Sequence, residues 1–164
     1  MTHTVSATFK TDSAAREALL KLEVAGFSEK QMSLVATDSS VGQSFNIEKG
    51  TKATEGGAVG ASAGGIIGAI AGGLAAAGTI LIPGVNLVVY GTAVAAAAGA
   101  GVGAATGGLT GALVGFGVPE YEAKRYENEV KNGAILLVVE ADSSERAEII
   151  QDIFKQGDAY NIAA

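Results

Sequence analysis

The sequence contains no cysteine and a single histidine, His3. The first absence excludes a disulfide framework and thiolate metal sites. The second excludes a histidine ligand set, so zinc, iron–sulfur and thiol chemistry are not expected and no metal is assigned. Basic residues are also in deficit, with 11 Lys and Arg against 17 Asp and Glu and a net charge of -6. Counterion release then has little to act on, and nucleic acid is excluded as the expected partner. Residues 1–10 alternate polar and apolar without a basic stretch leading into an apolar core. No cleavable signal peptide is read there, and both termini are expected in the cytoplasm. Charged residues make up 17% of the chain, against about 25% in an average soluble domain. The shortfall is concentrated, because no charged residue occurs between Glu55 and Glu120.

On either side of that gap the pattern is α+β, and the length suits one domain with a real core plus one unusual segment. Val5, Ala7 and Phe9 alternate with Thr4, Ser6 and Thr8, the period of a half-buried strand over residues 4–9. Asp12 or Ser13 caps a helix whose Ala15, Ala18, Leu19 and Leu22 share one face, and Gly26 stops it. Phe27 returns the chain to the core, and residues 32–37 form a second strand. After the gap, a helix starts at Pro119 with Glu120 and Glu122 complementing its dipole; Tyr126 and Val130 are its packing residues and Gly133 its stop. Residues 134–139 are apolar throughout, as in a central strand buried on both faces. Asp142 or Ser143 then caps a helix with an inner stripe of Ala147, Ile150, Ile153 and Phe154, closed by Gly157, and residues 159–162 complete a final strand. The whole reads as a ferredoxin-like βαβ-βαβ sheet domain split by an insertion.

The insertion predicts a long helical hairpin. Pro83-Gly84 is its turn signal. In the arm of residues 56–82, the stretch 57–82 would be about 39 Å long as a helix, enough for a hydrocarbon core of about 30 Å. Gly56, Gly60, Gly64, Gly68 and Gly72 recur every fourth residue in that arm. Gly99, Gly103, Gly107, Gly111 and Gly115 do so in the second arm, residues 85–118. Such ladders present grooves without side chains for close helix approach, arm against arm and then copy against copy. Each glycine costs about 1 kcal/mol against Ala in a water-exposed helix, so the pattern makes sense only in a packed one. Tyr90, Phe116 and Tyr121 suit membrane interfaces, and Lys49, Lys52, Lys124 and Arg125 flank the run with positive charge. The organisation is then residues 1–40 as the first βαβ half, 41–55 as linker, 56–118 as the glycine-zipper hairpin, and 119–164 as a helix plus the second half.

No phosphate loop is present, and the stretch Gly99-x-Gly101-x-Gly103 lies inside the apolar run, so no nucleotide or other cofactor is expected. Catalysis would need a nucleophile, a base and an orienting group together. His3 reads as a surface residue, and the chain is not read as an enzyme. Glu120, Glu122, Glu127 and Glu129 interleave with Lys124, Arg125 and Lys131, which i,i+4 pairing on a solvated helix face accounts for.

Several positions together carry a family likeness. They are Val5 and Phe9, Ala18-Leu19-x-x-Leu22, Gly26-Phe27, Met32-Ser33-Leu34-Val35, the glycine run with Ile82-Pro83-Gly84, Gly117-x-Pro119-x-x-x-Ala123-x-x-Tyr126, and Gly133. In these the chain resembles the bacterial general-stress, heat-induced protein family (YflT-like) and its low-temperature-induced relatives. The resemblance implies a ferredoxin-like domain, a glycine-zipper hairpin and a stress-related role.

The expected function is that of a non-enzymatic stress-response protein. It self-assembles through a transmembrane glycine-zipper hairpin and associates with or organises the cytoplasmic membrane, with copies of itself and membrane lipid as partners. The alternative is a soluble cytoplasmic homo-oligomeric shell or filament that holds lipid or another apolar ligand. An enzyme subunit is a third class, since fold alone does not decide function, but no residue supports a reaction.

Overall fold

The computed structural model describes residues 2–37, 79–82, 87–91 and 104–164. Its strands are β1 (His3–Phe9), β2 (Met32–Thr37), β3 (Thr79–Ile82), β4 (Leu87–Tyr90), β5 (Ile135–Ala141) and β6 (Tyr160–Ala163). Its α-helices are α1 (Asp12–Val24), α2 (Ala104–Gly115), α3 (Glu120–Lys131) and α4 (Ser144–Gln156), with a 3-10 turn at Glu29–Gln31 before β2. The strands form one antiparallel sheet in the order β3-β4-β2-β5-β1-β6. The fold is therefore α+β, as the sequence pattern indicates.

Local chemistry explains the boundaries. Thr11 is the N-cap of α1, its hydroxyl accepting from the Ala14 amide, one residue ahead of the expected Asp12 or Ser13. Ser143 caps α4 in the same way through the Arg146 amide. After α1, Gly26 donates to the Glu23 carbonyl and Phe27 to that of Leu22, while Gly133 and Ala134 repeat the pattern on Val130 and Glu129 after α3. These paired bonds satisfy carbonyls that a helix end leaves open, and they aim Phe27 and Ala134 back at the core.

Two helix layers cover the sheet. On one face α1 and α4 bury Val5, Ala7, Phe9, Met32, Leu34, Ile135, Leu137 and Val139, with Phe9 and Phe154 packed edge to face at 5.6 Å. On the other face α2 and α3 bury Val35, Leu87, Val89, Leu136 and Val138 beneath Leu109, Leu113, Tyr126 and Val130. Strand β5, between β2 and β1, is buried on both sides as its uniform apolarity requires.

The second layer corrects the reading of β1 as half-buried. Ser6 and Thr8 alternate with the apolar residues yet are 1% and 0% exposed, as is Ser33 at 0%. A short hydroxyl side chain can point into an interior when a partner meets it, and α3 supplies one to Ser6 through Tyr126 and one to Thr8 through Glu129.

The middle of the charge-free run differs most from expectation. Thr79–Ile82 and Leu87–Tyr90 are not parts of two helical arms; they pair with each other as strands, Thr79 opposite Tyr90 and Ile82 opposite Leu87. Strand β4 in turn pairs with β2, Leu34 opposite Tyr90 and Thr37 opposite Leu87. The physical reason is side-chain type: Thr, Ile, Leu and Val, rich in β-branching, suit a pleated surface better than a helix. Farther on, α2 is not one uninterrupted helix, because its backbone leaves helical geometry at Gly108 (φ 58, ψ -138).

Gly91 follows β4 with φ +109, and a Cβ there would collide with the Met32 carbonyl oxygen and lie 2.8 Å from Ser33 Cα. Only a residue without a side chain lets β4 come this close to β2.

Candidate functional site

Two polar clusters sit on the C-terminal half of α3, and each ties a different element to the body. Both arise because α3 is an amphipathic helix whose carboxylates reach past its exposed surface.

At the first, Tyr126 projects from α3 onto the hydroxyl stripe of β1. Its phenol oxygen lies 2.5 Å from the Asn161 carbonyl, 3.2 Å from the Ser6 carbonyl and 3.3 Å from the Ser6 hydroxyl, which donates to it. Burial pushes this phenol up to about 12, with the nearby Glu122 and Glu129 acting in the same direction against the Ser6 hydrogen bond. Held neutral and met by these partners, the phenol ties α3 to β1 and β6.

One turn later Glu129 accepts from the Thr8 hydroxyl at 2.5 Å and from the Asn161 side-chain amide, and Arg125 lies 3.3 Å away. Asn161 holds φ 55 in the middle of β6, where the β1 pairing shifts register between Ser6 and Thr8. Asparagine tolerates this left-handed backbone better than most residues, and the two bonds from α3 hold it there. An open depression of about 200 Å³ beside the cluster is lined by Lys10, Glu129, Asn132, Gly133, Ala134 and Tyr160. Lys10 stands over the Tyr160 ring at 5.3 Å.

The second cluster joins α2 to α3. The Glu127 carboxylate accepts from the Thr110 amide at 2.9 Å, from the Thr110 hydroxyl, and from Lys131 at 2.6 Å. Burial pushes this carboxyl up, but the Lys131 and Thr110 donors outweigh it and hold the group below its ordinary value. The expected i,i+4 pairs Glu120–Lys124 and Glu127–Lys131 are both formed, at 2.6 Å each. Glu127 and Glu129 nevertheless do more than decorate a solvated face, since both bind other elements. Sequence spacing finds the i,i+4 pairs and does not show the partners in α2, β1 and β6.

Of the glycines expected to zip helices together, Gly56, Gly60, Gly64, Gly68, Gly72, Gly99 and Gly103 lie outside the described residues, as do Pro83 and Gly84. Gly107, Gly111 and Gly115 lie in α2. Gly111 is half-buried and Gly115 is exposed with open space where a Cβ would stand. Tyr121 is 75% exposed, whereas Phe116 is half-buried and its carbonyl accepts from the Thr4 hydroxyl. Lys124 and Arg125, read as flanking positive charge, are ion-paired to Glu120 and Glu129. His3 is exposed on β1.

Among the described residues no group of three or more His, Cys, Asp or Glu side chains could hold a metal ion. Among the same residues no helix is long and apolar enough to cross a membrane. Comparison with protein-family models, with curated proteins and with solved structures finds no match for this chain.

Proposed function

We propose that this protein is a non-enzymatic, self-assembling stress-response protein: its glycine-rich run associates with copies of itself, and its α+β body is the platform. The order β2-β5-β1-β6, with α1 and α4 packed on one face, supports reading those four strands as a ferredoxin-like unit. On that reading β3, β4, α2 and α3 are additions to it.

The observation that carries the proposal is the attachment of the charge-free run to the sheet at its middle. Residues 38–78 begin after Thr37 of β2 and end at Thr79 of β3, which joins the same sheet through β4. A stretch with both ends on one sheet must cross a bilayer an even number of times. Residues 56–78 would span about 35 Å as one helix, enough for one crossing of about 30 Å. The return would fall to residues 38–55, which contain Glu48, Lys49, Lys52 and Glu55. Each such charge at mid-bilayer costs several kcal/mol, about 2.5–3.5 on insertion scales. Residues 92–103 would reach about 18 Å as a helix, short of one crossing. These lengths disfavour a two-pass transmembrane hairpin and favour an assembly in which the glycine-rich segments pack on one another.

Replacing Gly64 and Gly68 by Leu tests this, because bulk in the ladder blocks close helix approach. Light scattering should report a much smaller particle while hydrogen exchange in β5 is unchanged. An unchanged particle size refutes the proposal.

A second reading, in which the assembly also touches lipid at a membrane surface without spanning it, is favoured by Val114 and Tyr121. These apolar side chains stand 42% and 75% exposed on the adjoining helices α2 and α3. Binding to lipid vesicles that weakens in Val114→Ser and Tyr121→Ser variants would support it, and no vesicle binding at all would remove it.

A further inference from the structure

Helix α2 meets the body under unusual conditions. It carries no charged residue, its backbone breaks at Gly108, and beyond the break Leu109, Ala112 and Leu113 are fully buried. A helical segment restarting after a break exposes unpaired N–H groups, which a cap must satisfy. Among the described side chains of α2, those of residues 108–115, none fills that role. Glu127, one helix away in α3, accepts from both the amide and the hydroxyl of Thr110, two residues past the break. Its own side chain is only 16% exposed.

We propose that Glu127 is a latch: its carboxylate substitutes for a local cap at the restart of α2, and neutralising it frees α2 from α3. The consequence is specific. Once α2 lifts, the buried cluster that it shares with α3 and the sheet loses Leu109 and Leu113, and the face of α3 on which α2 packs is uncovered. The latch thus couples one ionisable group to the exposure of apolar area at the point where the charge-free run rejoins the body.

The charges around the latch are few. Lys131 on the same helix is ion-paired with Glu127. Helix α2 and strands β2 and β3 contribute no charged residue. The strands β1 and β5, also packed on α3, carry His3 and Glu140, both at the end of the sheet where Thr4 stands opposite Glu140. Among the described residues Glu127 is therefore the group whose titration governs this junction. Because its folded form holds the proton less tightly than an unfolded carboxyl, its contribution is complete above about 4.5 and is lost as the pH falls below that value.

Hydrogen exchange on the full chain, corrected for intrinsic rates, tests the latch. At pH 7, Glu127→Ala should speed exchange across residues 109–118 by roughly tenfold or more, while β5 keeps its protection. The native chain should show the same local acceleration on acidification below 4.5, and Glu127→Ala should show no further step. Lys131→Met should move the native step to higher pH. Equal exchange in Glu127→Ala and native protein over residues 109–118, or acceleration shared equally by β5, overturns the proposal. A native acid step that persists in Glu127→Ala does so as well.

Discussion

Adding one methyl group at Gly91 should detach the β3–β4 hairpin without unfolding the body. The new Cβ would meet the Met32 carbonyl oxygen and stand 2.8 Å from both Ser33 Cα and Ser33 Oγ. These atoms belong to the backbone and a buried side chain of β2, whose opposite edge is held by β5, so they cannot retreat cheaply. Overpacking of this kind costs about 1–3 kcal/mol. The backbone at φ +109 adds about 1–2 kcal/mol once a side chain is present. The total, about 2–5 kcal/mol, is below the 5–15 kcal/mol of a typical domain but exceeds what a short strand pair contributes locally. Strand β4 reaches the sheet through four paired positions on β2, and β3 through β4 alone. Hydrogen exchange should therefore show lost protection at residues 87–90 in Gly91→Ala, with β1 and β5 protected as before. Gly115→Ala is the control, since open space surrounds that position and Ala is the better helix former by about 1 kcal/mol. Full protection of residues 87–90 in Gly91→Ala would refute the close approach and with it the pairing of β4 on β2.

Other outcomes follow from the α3 contacts. Tyr126→Phe leaves the buried Ser6 hydroxyl without its phenol partner and should destabilise the protein by about 1–3 kcal/mol, read as a lower urea midpoint with unchanged slope. In an alkaline ultraviolet titration, one of the four tyrosines should ionise only near 12, and that late phase should vanish in Tyr126→Phe. Since the folded phenol holds its proton more tightly than the unfolded one, this contribution to stability is complete below 10 and declines as the pH rises toward 12. Arg146→Ala removes a guanidinium 4.2 Å from the Phe27 ring centroid and a bond to the Gly26 carbonyl; a loss of about 1 kcal/mol in thermal or urea unfolding is expected.

The α+β frame was legible because its signals are local. Alternation in residues 4–9, the stop at Gly26 and the uniformly apolar β5 each follow from a few neighbouring residues. The hydroxyls of Ser6 and Thr8 read as solvent-facing because alternation reports polarity and not what lies above it; only α3, more than a hundred residues later, makes them interior. The strands β3 and β4 carried a readable sign. Thr-Ile-Leu-Ile and Leu-Val-Val-Tyr flank Pro83-Gly84 as β-branched runs flank a hairpin turn. A period-four count of glycines across the whole run smooths over these two short stretches, which contain no glycine. The contacts of Glu127 and Glu129 had no sequence signal of their own, since their partners are set by how α2 and β6 dock.

Fractionation of the native protein without detergent, followed by carbonate washing of membranes and sizing of the released material, addresses the central claim most directly. Recovery as a large homo-oligomeric particle, released from any membrane by the wash, is the predicted result. Retention in carbonate-washed membranes would contradict the account, because the run would then be an integral anchor, and so would recovery as a monomer.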